Sequence, residues 1–103
     1  MNDRMAQLEQ LHQADPKDPF CTYSIALEHA KAERHDQALA WMDKTLAIDP
    51  RYCYAYYHKA KVLTELGRAD EARSVLQAGL AAALEAHDTH AHSEMTTLLQ
   101  ALD

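Results

Sequence analysis

Apolar residues recur along this chain at intervals of three and four, the spacing that places them on one face of an α-helix. Proline falls only at breaks in this pattern and glycine occurs twice, so nothing in the sequence indicates strands. The pattern and its breaks predict an all-α fold with six helices, at residues 3–14, 19–33, 36–48, 53–66, 69–86 and 89–102.

The sequence repeats itself with a period of 34 residues. Residues 20–50 align with residues 54–84, and seven of the 31 aligned pairs are identical. These pairs are Tyr23 with Tyr57, Ala26 with Ala60, Arg34 with Arg68, Asp36 with Asp70, Ala38 with Ala72, Leu46 with Leu80 and Ala47 with Ala81. The same shift places Asp15-Pro16 over Asp49-Pro50, so the chain begins in the second half of an earlier unit. A period of 34 residues is typical of tandem two-helix hairpins.

With this period the chain resembles the tetratricopeptide-repeat (TPR) family, whose members stack antiparallel helix pairs into a right-handed α-solenoid. In the second unit the family's small residues fall on Ala60 and Ala72, its aromatic anchor on Tyr56, its turn glycine on Gly67 and its last close-contact position on Gly79. The resemblance covers essentially the whole chain. It implies one domain with a half-repeat helix at 1–16, repeat units at 19–52 and 53–86, and a capping helix at 88–103.

Three positions depart from the family pattern. Thr22 stands where the first unit should have its aromatic anchor, and Glu33 stands where it should have its turn glycine. Leu84 stands where the second unit should have its closing proline. The last departure predicts that the fifth helix continues past the usual stop.

The alanines that recur in both units predict where the paired helices approach most closely, because facing side chains must be small there. They are Ala26, Ala38, Ala60 and Ala72. Larger apolar residues on the same faces form the predicted core: Ile25, Leu39, Met42, Leu46, Ile48, Tyr56, Leu63, Val75, Leu76 and Leu80.

Composition and charge narrow the class of partner. Sixteen acidic and ten basic residues give a formal net charge of −6, and the basic residues are scattered, so nucleic acid is a poor candidate. No apolar run approaches the roughly 18 residues that span a bilayer, and the amino terminus lacks the apolar stretch of a secretory signal. We therefore expect a cytoplasmic protein without membrane contact. Cys21 and Cys53 form neither a metal-binding pair nor a disulfide framework.

The resemblance implies a binding surface, since the first helix of each TPR pair lines a concave groove. Tyr54 and Tyr57 could equally be packing residues, and for Tyr56, which falls on the core face, packing is favoured. An aromatic band with two lysines beyond it suits a peptide or helix of another protein that offers apolar anchors or a carboxylate. The family's groove positions, carried onto this chain, are Phe20, Tyr23, Leu27, Lys31, Tyr54, Tyr57, Lys61 and Thr64.

One familiar TPR groove grips the acidic carboxy-terminal tails of heat-shock chaperones through lysine, asparagine and arginine. The corresponding positions here hold Tyr23, Leu27 and His58, so that activity is not expected.

Candidate chemistry is confined to a histidine cluster. His87, His90 and His92 flank Asp88, and three imidazoles with a carboxylate can in principle hold zinc. On a helix, however, His92 points away from the other two, so a polar link with Asp88 near a helix cap is favoured. No cofactor, metal or enzymatic activity is expected.

Two functional hypotheses remain. In the first, the chain is a protein-binding module with an adaptor or assembly role. In the second, it is a structural subunit that forms a homodimer through a terminal helix. A metal site at the histidines is a distant third.

Overall fold

The computed structural model describes residues 3–102. They form six helices: α1 (Asp3–Ala14), α2 (Pro19–Lys31), α3 (His35–Ile48), α4 (Cys53–Glu65), α5 (Ala69–Ala86) and α6 (Thr89–Ala101). The predicted all-α fold is confirmed, the described part of the chain contains no strand, and every predicted helix end lies within two residues of the observed one. None of the described helices is long and apolar enough to cross a membrane.

Short turns join successive helices into hairpins. α2 packs on α3 and α4 packs on α5, while α1 covers α2 and α6 covers α5. The two hairpins meet through α3 and α4. This arrangement is the stack of helix pairs that the 34-residue period predicts.

Two carboxylates begin helices in the way the sequence suggests. Asp18 precedes Pro19 at the start of α2, and its Oδ1 accepts a hydrogen bond from the Phe20 amide at 3.0 Å. Asp88 does the same for α6, accepting from the Ala91 amide at 3.0 Å. Each bond satisfies an amide that the first helical turn leaves without a partner.

The turns inside the two hairpins have the same backbone shape although their residues differ. Glu33 has φ +59° and Gly67, its counterpart 34 residues later, has φ +76°. In each turn the next amide bonds back into the helix, Arg34 to the His29 carbonyl at 2.9 Å and Arg68 to the Leu63 carbonyl at 2.8 Å. This left-handed ending suits glycine, whereas a residue with a Cβ is strained in it.

Helix α5 continues past the family's usual stop, as the absence of a proline at position 84 predicts. It has 18 residues, whereas α3, its counterpart, has 14. It ends at His87, another residue with a left-handed backbone (φ +56°). The side chain of Leu84 on this extra turn is 66% exposed.

The predicted packing scheme is confirmed at the four alanines, all of which are 0% exposed: Ala26, Ala38, Ala60 and Ala72. Of the larger predicted core residues, Ile25, Met42, Leu63 and Leu76 are buried. The other six are half-buried at the margin of the core: Leu39, Leu46, Ile48, Tyr56, Val75 and Leu80.

The threonine at the anchor position of the first unit has a structural explanation. Thr22 Oγ1 lies 2.7 Å from Thr45 Oγ1, so one buried hydroxyl donates to the other. In the second unit the equivalent pair is Tyr56 and Gly79, and a Cβ on Gly79 would lie 2.7 Å from the Tyr56 Cβ. The large ring therefore requires a glycine opposite it, whereas two medium-sized hydroxyl residues fill the same space in the first unit.

We expect Ala60→Leu or Ala72→Leu to lower the free energy of unfolding by about 1–3 kcal/mol, because each adds bulk where no space is exposed. Urea denaturation followed by circular dichroism measures this change. The matched control is Ala78→Leu on the exposed side of α5, where leucine should be nearly neutral. Equal stability of all three variants would contradict the packing scheme.

The two hairpin turns predict stability changes of opposite sign. Glu33→Gly should raise the free energy of unfolding by about 0.5–1 kcal/mol, because glycine accepts a left-handed backbone without strain. Gly67→Ala should lower it by about 1 kcal/mol, although an added Cβ would meet no atom within 4 Å. The cost at Gly67 is then one of backbone conformation alone. A loss of stability in both variants would contradict this explanation.

Candidate functional site

Helices α2, α4 and α6, the first helices of successive pairs, share one surface, which we call the inner face. α4 lies in the middle and contacts both α2 and α6. Because the turn of α5 is longer, α4 and α6 begin 36 residues apart, at Cys53 and Thr89, and not 34. His90 on α6 therefore takes the place that Tyr54 has on α4.

A line of aromatic rings crosses the inner face. The Tyr23 ring of α2 lies 5.0 Å from the Tyr52 ring and 5.7 Å from the His58 ring. The Tyr57 ring lies 5.2 Å from His58 and 6.1 Å from Tyr54. Both distances are typical of edge contacts between rings. Helices of different repeat units thus contribute to one continuous aromatic surface.

An open cleft lies at the amino-terminal ends of α4 and α6, and we call it the tyrosine cleft. Its volume is about 560 Å³. Tyrosine rings from α2 and α4 form one side, and the residues that join α5 to α6 form the other. The lining residues are Tyr23, Asp49, Arg51, Tyr52, Cys53, Tyr54, Ala86, His87, Asp88, Thr89 and His90.

A second cleft lies between α2 and α4 towards their carboxyl-terminal ends, and we call it the lysine cleft. Its volume is about 310 Å³. Lys61 Nζ lies 5.4 Å from the centroid of the Tyr57 ring, and Lys31 Nζ lies 3.7 Å from Glu28 Oε1. The lining residues are Leu27, Ala30, Lys31, His58, Lys61, Val62 and Glu65.

Five of the eight predicted groove residues line these two clefts. Tyr23 and Tyr54 line the tyrosine cleft, and Leu27, Lys31 and Lys61 line the lysine cleft.

The other three predicted groove residues line neither cleft. Tyr57 joins the line of rings, and Phe20 is 62% exposed. Thr64 is half-buried and donates its hydroxyl to the Ala60 carbonyl at 2.8 Å, so its polar group is engaged with its own helix.

Three aromatic residues of the inner face were not predicted from the sequence. Tyr52 lies just before α4, His58 lies next to Tyr57, and His90 lies on the capping helix. The rings of Tyr54 and His90 are 6.3 Å apart. Aligning the helix starts with a 36-residue shift would have identified His90, whereas the fixed 34-residue period places Asp88 opposite Tyr54.

The polar groups of this surface are neutral at physiological pH. Burial raises the pKa of Tyr23, and neighbouring tyrosines add to the effect. Burial lowers the pKa of His58 to about 4, and the nearby Lys61 ammonium lowers it further. The inner face therefore offers a neutral imidazole and neutral phenols, which can donate or accept hydrogen bonds.

Tyr56 is a packing residue, as its position on the core face predicts. It packs against the core cluster around Leu76, and its hydroxyl donates to the Pro50 carbonyl at 2.7 Å. Tyr54 and Tyr57 also pack against that cluster, but they are half-buried and reach the inner face. Both interpretations of these two residues therefore have a structural basis.

The histidine cluster is divided between two surfaces. His87 and His90 line the tyrosine cleft, whereas His92 lines a separate small cleft beside Leu84. His90 Nε2 lies 2.8 Å from Glu94 Oε1, and Asp88 caps α6. Across residues 3–102, no group of three or more histidine, cysteine, aspartate or glutamate side chains is placed to hold a metal ion.

Known proteins resemble this chain in sequence and in structure. The family model described as tetratricopeptide repeat matches residues 29–99. A tetratricopeptide repeat domain protein from Salinibacter ruber, solved by NMR, is 32% identical, with a TM-score of 0.80 over 86% of this chain and 90% of that chain.

Two further solved structures are similar in fold. The TPR2B domain of yeast Sti1, in complex with pHsp70, is 20% identical, with a TM-score of 0.90 over 95% of this chain and 78% of that chain. PcrH, in complex with the chaperone binding region of PopD, is 20% identical, with a TM-score of 0.88 over 97% of this chain and 76% of that chain. At this identity the likeness shows the fold alone. No curated protein matches the sequence.

The family match spans more than half of the 103 residues, and it agrees with the repeat period, the buried alanines and the stacked hairpins. This chain therefore belongs to the tetratricopeptide-repeat family.

Proposed function

We propose that this protein is an interaction module that binds a short extended or helical segment of another protein on its inner face. In this role it acts as an adaptor or assembly factor and catalyses no reaction itself. The observation that carries the proposal is the line of rings from Tyr23 through His58 and Tyr57 to Tyr54, which lies between two open clefts.

The chemistry of this surface suits recognition of a polypeptide. Half-buried tyrosine rings offer apolar area on stiff side chains, and tyrosine is among the residues that contribute most to protein interfaces. The neutral phenols and the neutral His58 imidazole can pair with main-chain amides or carbonyls of a bound segment. Phe20, which is 62% exposed on α2, adds an apolar contact.

The similar folds support the same conclusion. The Sti1 domain and PcrH were each solved with a segment or partner of another protein. Because those proteins share only the fold with this chain, they support the class of ligand and not its identity.

The reactive side chains of the chain are poorly suited to catalysis. Burial raises the pKa of both cysteine thiols, with nearby aspartates contributing, so the thiols are protonated. Each thiol donates to a main-chain carbonyl, Cys21 to Leu8 at 3.3 Å and Cys53 to Arg51 at 3.4 Å. Both cysteines are therefore structural.

Self-association through a terminal helix is the alternative. Leu11 on α1 and Leu84 on the extra turn of α5 are 59% and 66% exposed, and a second copy could cover either residue. Sedimentation velocity at micromolar concentration tests this alternative. A monomer would exclude it, and a dimer lost in Leu11→Ser or Leu84→Ser would support it.

Replacing Tyr57 and Lys61 together by alanine should abolish partner binding, because the change removes a central ring and the ammonium beside it. A photo-crosslinking residue at position 64, on the inner face, should capture a partner in cell extract, and the Y57A/K61A background should lose that product. Mass spectrometry of the crosslinked peptide identifies the bound segment.

Two controls make this result specific. The same crosslinker at Gln77, exposed on α5, should give no such product. Lys44→Ala with Gln77→Ala, a pair of exposed changes on α3 and α5, should leave capture from position 64 intact. If the Y57A/K61A protein keeps its helicity and still captures the partner, binding uses another surface and the proposal is wrong.

A further inference from the structure

The two clefts of the inner face differ in charge. Of the side chains that line the tyrosine cleft, Asp49 and Asp88 are anionic and Arg51 is cationic, which leaves an excess of one negative charge. Lys31 and Lys61 line the lysine cleft with Glu65, which leaves an excess of one positive charge. A bound segment therefore meets opposite electrostatic environments at its two ends.

The carboxylates of the tyrosine cleft are held in place by the main chain. Asp49 Oδ1 accepts from the Arg51 amide at 3.0 Å, and Asp88 Oδ1 accepts from the Ala91 amide at 3.0 Å. These bonds fix the side chains without neutralising them, because an amide carries no net charge. The two carboxylates are thus preorganised on the walls of the cleft.

The cation of this cleft is engaged elsewhere. The Arg51 guanidinium donates through Nη2 to the Glu85 carbonyl near the end of α5, at 2.6 Å. His90 pairs with Glu94 on its own helix. Neither side chain contacts Asp49 or Asp88 through the bonds described.

Two further carboxylates act on the tyrosine rings. The pKa of Tyr52 is raised by burial and then by Asp18 and Asp49. The pKa of Tyr54 is raised by burial and then by Glu94 and Asp88. Negative charge therefore surrounds the rings, which also present their electron-rich faces.

We propose that the tyrosine cleft receives an arginine or lysine side chain of the bound segment. The inference rests on the proposed function, since it assumes that a polypeptide lies on the inner face. A cation entering the cleft gains contact with the faces of Tyr23, Tyr52 and Tyr54 and with the carboxylates of Asp49 and Asp88. Arginine suits the site best because its planar guanidinium stacks on rings and donates in several directions at once.

Other occupants fit this cleft less well. An apolar side chain would cover the two carboxylates without pairing them, which is unfavourable. A carboxylate would be repelled by Asp49 and Asp88, although the amino-terminal end of α4, which has no side-chain cap, would attract it. An anion is therefore the rival occupant that the experiment must distinguish.

The test uses the intact, ¹⁵N-labelled protein and three small probes in NMR titrations. N-acetyl-arginine amide should shift the signals of Tyr23, Tyr52 and Tyr54 saturably, with a dissociation constant on the order of 1 mM. N-acetyl-citrulline amide, an uncharged analogue of the same shape, should bind at least about fivefold more weakly. N-acetyl-glutamate amide should not shift these signals.

A double variant tests the carboxylates directly. Asp49→Asn with Asp88→Asn keeps an oxygen to accept each amide hydrogen bond and preserves the cap of α6, but it removes both charges. Affinity for the arginine probe should fall about fivefold or more. The control, Asp36→Asn with Asp70→Asn, makes the same change in charge in the first turns of α3 and α5 and should leave affinity unchanged.

Equal binding of the arginine and citrulline probes would overturn the inference. So would preference for the glutamate probe, an unaffected Asp49/Asp88 variant, or the absence of any saturable shift. These results are separate from the crosslinking experiment. Crosslinking that succeeds while the arginine probe fails removes only the cationic anchor, and the reverse outcome removes the partner-binding function while leaving a cation-selective cleft.

Discussion

Close contact between paired helices at small side chains is the constraint on which the rest of this structure depends. Ala26 faces α3 and Ala60 faces α5, and their counterparts Ala38 and Ala72 are likewise fully buried. Helix axes can approach to about 8–10 Å only where such residues meet. That approach holds each hairpin together and leaves the opposite side of α2 and α4 uncovered. The inner face exists because the core uses only one side of these helices.

The two repeat units meet the same backbone requirement with different side chains. Two hydroxyls share the space between Thr22 and Thr45, while in the second unit the Tyr56 ring lies over Gly79. Both hairpin turns adopt a left-handed residue, although only Gly67 suits it. A repeat therefore preserves the volume and the backbone path at each position more strictly than it preserves the residue.

The inner face combines contributions that no single unit contains. α2 provides Tyr23, α4 provides His58 and Tyr57, and the capping helix adds His90 beside Tyr54. Burial keeps the His58 imidazole neutral, so formal charge is concentrated at the two clefts on either side of the rings. A surface with a neutral aromatic centre and oppositely charged ends favours one orientation of a bound segment.

The sequence by itself determined the helices, the 34-residue hairpin and the buried alanines, because these depend on local periodicity and on residue size at repeated positions. It also indicated most of the side chains that reach the inner face, including Tyr23, Tyr54 and Lys61. Only the tertiary structure decided how those side chains are grouped. The extra turn of α5 changes the register of α6 and brings His90 to Tyr54, and the stacking of α2 on α4 brings His58 between two tyrosines. These are contacts between residues far apart in the chain, and their geometry depends on how the hairpins pack, which a repeat period does not specify.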